Sequence, residues 1–278
     1  MPARPCRRAA LWALFSANII LMSCAANTAL QPGTPGFYWA AAKQTYAAGD
    51  YQKTAENLSN VISSQNEYTE RALPWTLVLT SGMAHGYMDL AKAFDAGAHA
   101  NRARIVDFRR EADTYRENAN NLALQFAETF AKFQSKDEYV TLAFAYPTGS
   151  PTEDLLIGKV TGGTWLKESD LEAVQQHAVE RAVLLATCSA AGARNDPAKV
   201  LDMLKNSDAK VPRAAFVEAM ALALFDQSQL YSRNQMDQPD KLKVFCDRAE
   251  DALKLVPASK ETQDLEKKIH AAMKKPKA

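Results

Sequence analysis

The sequence predicts an all-α protein built from antiparallel helix pairs. Three observations carry this. From Phe37 onward the apolar residues recur at helical spacing, and clean strand alternation is almost absent. Short clusters of Gly, Pro, Asp and Ser interrupt these runs where helices would stop and start. The 278 residues hold only 11 Gly and 12 Pro, too few for a many-turned β-sandwich. About ten helices joined by short loops follow, and short loops make neighbouring helices antiparallel.

The chain opens with Arg4, Arg7 and Arg8, followed by an apolar run from Ala9 to Met22 broken only by Ser16 and Asn18. That run is shorter than the roughly 20 residues a bilayer-spanning helix needs. A charged start, a short apolar middle and a small-residue exit mark a secretory signal. The exit, Leu21-Met22-Ser23-Cys24, resembles the lipobox of bacterial lipoproteins, with Met22 departing from the small or branched residue usual there. The resemblance implies a signal peptide over 1–23, a diacylglycerol thioether on Cys24, and an N-acylated, membrane-anchored mature chain. Two or three acyl chains hold firmly, at ~0.8 kcal/mol per buried methylene. The alternative is an ordinary cleaved signal with Cys24 as an incidental thiol. Ala25, not Asp, follows Cys24. In that family this implies the outer membrane, facing the periplasm, over the inner membrane. Residues 24–36 are small and carry two Pro and two Gly, so they read as a flexible tether.

Hydrophobic residues make up 47% and charged residues 23%, which excludes a disordered or collagen-like chain. Lys plus Arg is 33 and Asp plus Glu is 32, so the net charge is +1. Loss of residues 1–23 removes three Arg and no acid, and the balance becomes −2. No basic excess remains to steer phosphates, so no nucleic-acid partner is expected.

The helical domain is expected over 37–273, with a disordered tail at 274–278. Gly49-Asp50 breaks the first helix, and Pro74 can open the next, since proline is tolerated in a first turn. Phe108, Ala112, Tyr115, Ala119, Leu122 and Phe126 follow steps of three and four, so one face of a long helix is apolar, and Phe130 and Phe133 continue it. A short helix is expected from Asp137 to Tyr146. Residues 147–165 hold four Gly and two Pro and read as the longest irregular segment, of a length that tends to be functional or a connector. One reading is a lid or partner contact centred on Leu155, Leu156, Ile157 and Trp165. The other is a connector anchored by Trp165. A second stripe runs Leu171, Val174, Ala178, Ala182, Leu185. Asp196-Pro197 is an N-cap with proline at the first helical position. A third stripe, Phe216, Met220 and Ala223, is flanked by Leu222 and Leu224, as in a helix buried nearly all round. Asp170, Ser207 to Pro212, Pro239-Asp240 and Pro257 mark the remaining boundaries.

The segment Tyr46-Ala47-Ala48-Gly49-Asp50-Tyr51, with Thr54-Ala55, Leu58 and Val61, resembles a tetratricopeptide repeat. Ala42, Gly49, Tyr51, Leu58 and Val61 fall on matching positions, and Thr54 stands where alanine is usual. Ala249, Ala252-Leu253, Leu255 and Pro257 echo the end of such a repeat. Gly82, Ala84, Gly86 and Ala91 supply small residues between them, without the family's 34-residue period. The resemblance implies a degenerate TPR-like, right-handed array of stacked helix pairs. The lipobox, the first helix pair, the Gly/Ala-rich run from Gly82 to Phe94 and the long aromatic helix from Phe108 to Phe133 also resemble the TRAP-transporter T-component lipoproteins. The Asp137-to-Tyr146 segment extends that likeness. It implies an accessory to a periplasmic solute-binding protein, handling an organic acid or a hydrophobic ligand.

No catalytic set emerges. His85 with Asp89 and Asp95 with His99 are i,i+4 pairs, a spacing that serves a metal or an oriented base but more often a surface ion pair. His177 lies on the second stripe, and His270 in a charged tail. HExxH and GxSxG are missing from the sequence, and no CxxC or Cys/His cluster points to zinc. Glu111, Asp113, Glu117, Glu168, Asp170 and Glu172 sit on helix faces or caps. No cofactor and no metal are expected. Cys188 and Cys246 are left as one potential disulfide or as two buried thiols. Trp39, Tyr46, Tyr51, Trp75, Tyr87 and Trp165 are candidates for a binding surface, although the inter-helix core is the favoured place for such aromatics. The reading that follows is an anchored helical scaffold for an envelope protein. The alternatives are a T-component-like ligand accessory, and an envelope enzyme with 147–165 as its lid.

Overall fold

The computed structural model describes residues 31–146, 155–194 and 196–274. The expected signal peptide, Cys24, most of the tether, residues 147–154 and the last four residues lie outside them. Among the described residues the chain is all-α, with ten helices and one two-stranded sheet. No helix among them is long and apolar enough to cross a membrane.

The first pair is α1 (Pro35–Ala47) and α2 (Tyr51–Val61). Thr34 caps α1, accepting from the Phe37 N–H, and Pro35 occupies its first position. The end of the expected tether is therefore helix. Gly49 turns the chain with φ +75°, and the Asp50 side chain caps α2 by accepting from Lys53 N–H. A Cβ at Gly49 would meet nothing within 4 Å, so this glycine serves backbone conformation and not close packing.

The central rod is α3 (Thr69–Ala100), 32 residues and ~48 Å long at 1.5 Å per residue. It starts five residues before Pro74, not at it. Asn66 secures this start: its side chain donates to Val61 O at 2.7 Å and accepts from Tyr68 N–H at 2.9 Å. Pro74 then sits one turn in, where few intrahelical bonds are lost. Mid-helix, Trp75 to Ala84 are all buried, because α3 is sheathed by other elements. The buried hydroxyls on this stretch are satisfied locally. Thr76 donates to Ala72 O, Thr80 to Thr76 O and Ser81 to Val78 O.

The second rod, α4 (Ile105–Lys132), lies along α3. Its predicted stripe is buried, with Leu122 half-buried. Arg116 ties the rods together by pairing with Asp95 of α3 as well as its own Asp113.

The expected helix from Asp137 to Tyr146 is instead a strand, β1 (Tyr139–Leu142), paired antiparallel with β2 (Ala209–Pro212). Val140 and Val211 face each other in register, 3% and 0% exposed, so burial of β-branched residues outweighs the helical propensity of the flanks. The irregular segment is also partly corrected: α5 (Leu155–Thr161) is helical, ended by Gly163 at φ +84°. Gly158 and Gly162 were signs of a break, but only Gly163 takes the left-handed conformation that stops a helix.

The remainder is α6 (Glu168–Ala190), which crosses α3, then α7 (Pro197–Met203), α8 (Arg213–Ser228), α9 (Pro239–Leu253) and α10 (Lys260–Met273). Asp196 caps α7 as expected, accepting from Lys199 N–H. The pair α1–α2 spans 35–61, whereas α3–α4 spans 69–132, so one repeat length does not describe both.

Candidate functional site

The six aromatic residues singled out in the sequence do not form a surface. Trp39, Tyr46, Tyr51, Trp75 and Tyr87 are at most 5% exposed. Three rings gather around Phe144, a residue the sequence did not single out. Trp75 stacks on it at 5.5 Å between centroids, Trp39 lies at 5.0 Å and Tyr46 at 5.3 Å. β1 leads Phe144 into this cluster, which joins α1, α3 and the sheet. Burial raises the Tyr46 phenol well above its ordinary pKa and pushes the Tyr51 phenol up to about 12, so both stay neutral. Trp165 is half-buried, edge-on to Phe108 at 5.1 Å and to Phe94 at 6.3 Å, under the Arg104 guanidinium. It anchors the segment after α5 to both rods.

Cys188 and Cys246 are free and buried, on α6 and α9. The histidine pairs resolve differently from their sequence spacing. Asp95 serves Arg116 and leaves His99 exposed. His270 reaches Glu250 at 2.9 Å, joining α10 to α9. His85 faces Asp226 of α8 at 3.8 Å, while Asp89 pairs with Lys92. His177 is half-buried on α6.

His85 and Asp226 mark a recess of mixed chemistry. It is a trough of about 400 Å³ between α6 and α8, with α3 beneath. Ala182, Leu185, Met220, Leu222 and Ala223 form its apolar lining. Leu185 belongs to the predicted stripe of α6, yet it is 47% exposed, because α6 packs on α3 through its other residues. The polar rim is His85, Asp226, Asp89 and Arg194. The two facing groups are 35% and 37% exposed. Burial raises the Asp226 carboxyl above its usual pKa, and His85, Arg194, Lys268 and Lys92 oppose that shift without cancelling it.

Ser81 lines the same trough, so a serine, a histidine and an aspartate share one recess. Their geometry does not make an activated nucleophile. Ser81 donates its hydroxyl proton to Val78 O at 3.1 Å, and the His85–Asp226 separation exceeds a hydrogen bond. Of the expected lid, the described helix α5 packs on α3 beside Gly97, two turns or more along the helix from Asp89 and His85. Among the described residues no group of three or more His, Cys, Asp or Glu is placed to hold a metal ion. Asp226 and Arg194 carry no sequence signature, and the stripe that holds Leu185 marks it for burial. Leu222 and Ala223, read from the sequence as part of a helix buried nearly all round, are half-buried and line the trough.

Compared with protein-family models, curated proteins and solved structures, the chain matches none.

Proposed function

We propose that this chain is a lipid-anchored helical protein of the bacterial envelope that works by recognition, as a scaffold for a partner protein. The supporting observation is the trough itself. It is open and apolar at its centre, with Leu185 standing half out of it, and it is rimmed by charges of both signs. That is the anatomy of a protein-binding hot spot: an apolar anchor point whose charged surround excludes water and selects orientation. Lipidation at Cys24 would hold the protein at the membrane, where a periplasmic solute-binding protein is one candidate partner.

One observation favours a second reading, the T-component-like accessory. A volume of about 400 Å³ lies in the range that accepts a small ligand, and Arg194 would pair with an organic acid.

A photo-crosslinker placed at Leu185 in cells, with a second at exposed Val106 as reference, separates the two. The scaffold reading expects a discrete protein adduct at Leu185 that is absent at Val106 and is lost on Ala223→Glu. A protein-free crosslink to a small molecule would sink it in favour of the accessory.

A further inference from the structure

A second recess is larger than the trough. It is a cleft of about 690 Å³ between α2 and α4, floored by α3. Its walls are unusual in chemistry: Gln52 and Asn60 on α2, Asn118, Asn121 and Gln125 on α4, and Gln175 on α6. Six carboxamides thus face one space, and Glu56 is the one charged residue lining it. The spacing explains their convergence. Residues 52, 56, 59 and 60 share one face of α2, and 118, 121, 122 and 125 share one face of α4. Those faces are polar in sequence and would pass for solvated helix sides.

Three of these six amides are not committed to the fold, and Asn121 only accepts from Asn120 at 3.5 Å. Gln52, Asn118 and Gln125 make no hydrogen bond among the described residues. Asn60 uses one N–H on its own helix, to Glu56 O, and Gln175 donates to the Tyr87 hydroxyl at 3.3 Å. Each carboxamide carries two donors and an acceptor, so the two walls offer both kinds of group and almost no charge. Met83 and half-buried Leu122 give the floor an apolar strip.

We propose that this cleft binds a short extended, uncharged polypeptide segment through its main chain. An extended chain turns N–H and C=O groups to its left and right, and its side chains up and down. Two opposed amide walls satisfy the first set, and the apolar floor receives a side chain. From Gln52 to Asn60 the wall runs ~12 Å at 1.5 Å per residue, which spans three to four extended residues at ~3.3 Å each. A neutral sugar also uses amides, but its apolar C–H face commonly stacks on an open aromatic ring. Tyr87 is only 5% exposed and stacks on Tyr115 instead. The proposal rests on the reading of the chain as a protein-recognition scaffold and adds a second site to it. Met83 and Tyr87 lie across α3 from Ser81 and His85, so cleft and trough open on different sides.

The test uses the ¹⁵N-labelled full chain in detergent and a capped tetrapeptide, acetyl-Ala-Ala-Leu-Ala-amide. The proposal expects the peptide to shift the side-chain NH₂ resonances of Gln52, Asn118 and Gln125. An N-methylated version should lose that effect. The double variant Asn118→Leu/Gln125→Leu, with melting temperature retained, should weaken binding by at least about tenfold. Should that variant unfold, Gln52→Leu, at the exposed start of the wall, serves instead. Leu185→Asp should leave the titration unchanged, so a failed trough does not mask a working cleft. The proposal is overturned if the resonances do not move, if N-methylation is without effect, or if chitobiose shifts them and the peptide does not.

Discussion

Gly82 of α3 lies against Val183 of α6 so closely that a Cβ on Gly82 would stand 2.7 Å from the Val183 Cα and 3.1 Å from Ala182 O. Gly86, one turn on, approaches Val179 in the same way, at 3.0 Å. Two glycines on one face of α3 thus set the height at which α6 crosses it. That crossing fixes where the trough opens.

Replacing Gly82 by Ala should therefore destabilise the protein. Alanine gains up to ~1 kcal/mol in helix propensity. The clash is with backbone, which has no rotamer to yield, and overpacking of this kind costs about 1–3 kcal/mol. Thermal melting is expected several degrees below wild type. A melting temperature that holds or rises would show that α6 moves away freely.

Gly49→Val should also destabilise, for a different reason. Space is open around Gly49, but its φ of +75° is one a β-branched residue adopts only at a cost of about 1–2 kcal/mol. Gly49→Asn, which tolerates that conformation, should recover most of the loss in the same melt. Equal losses for Val and Asn would mean the turn is not the cause.

Asp226 gives a signed pH prediction. Its folded carboxyl holds the proton more tightly than the unfolded chain does, because burial penalises the charge. Its contribution to stability is therefore greatest below the ordinary carboxylate range, near pH 3.9, and declines as pH rises through the raised folded value. Asp226→Asn should melt higher than wild type at pH 7, with the gap closing as both are taken to about pH 3. A gap that is constant with pH would assign the effect to packing.

Burial pushes the Cys188 thiol up to about 11 and raises Cys246 as well. Thiolate is the reactive form, so iodoacetamide at pH 8 should label neither residue in the native chain and both after denaturation without reductant. Peptide mapping by mass spectrometry reads this directly. Failure of both to label in the denatured, unreduced chain would mean they are oxidised to one another.

Cys24→Ser should release the protein from the membrane fraction, since no described helix offers a second anchor. Unaltered sedimentation with membranes would remove the lipid-anchor reading and leave the helical domain as it stands.

What the sequence determined by itself is local. The stripe from Phe108 to Phe126, the Asp196 cap with Pro197 and the turn at Gly49 depend on a 3.6-residue period and on neighbouring backbone groups, and all three form as read. The strand at Tyr139–Leu142 had a local sign too, in the run Tyr-Val-Thr-Leu, but strand pairing needs a partner, and β2 lies some 70 residues away. Only the tertiary structure decided which faces meet. It drew the aromatic residues inward around Phe144, left Leu185 standing in the open, set His85 opposite Asp226 and turned the amides of α2 toward those of α4. A helical stripe says that a side must be covered. What covers it depends on the crossing of elements distant in the chain, and that is set by contacts such as Gly82 on Val183.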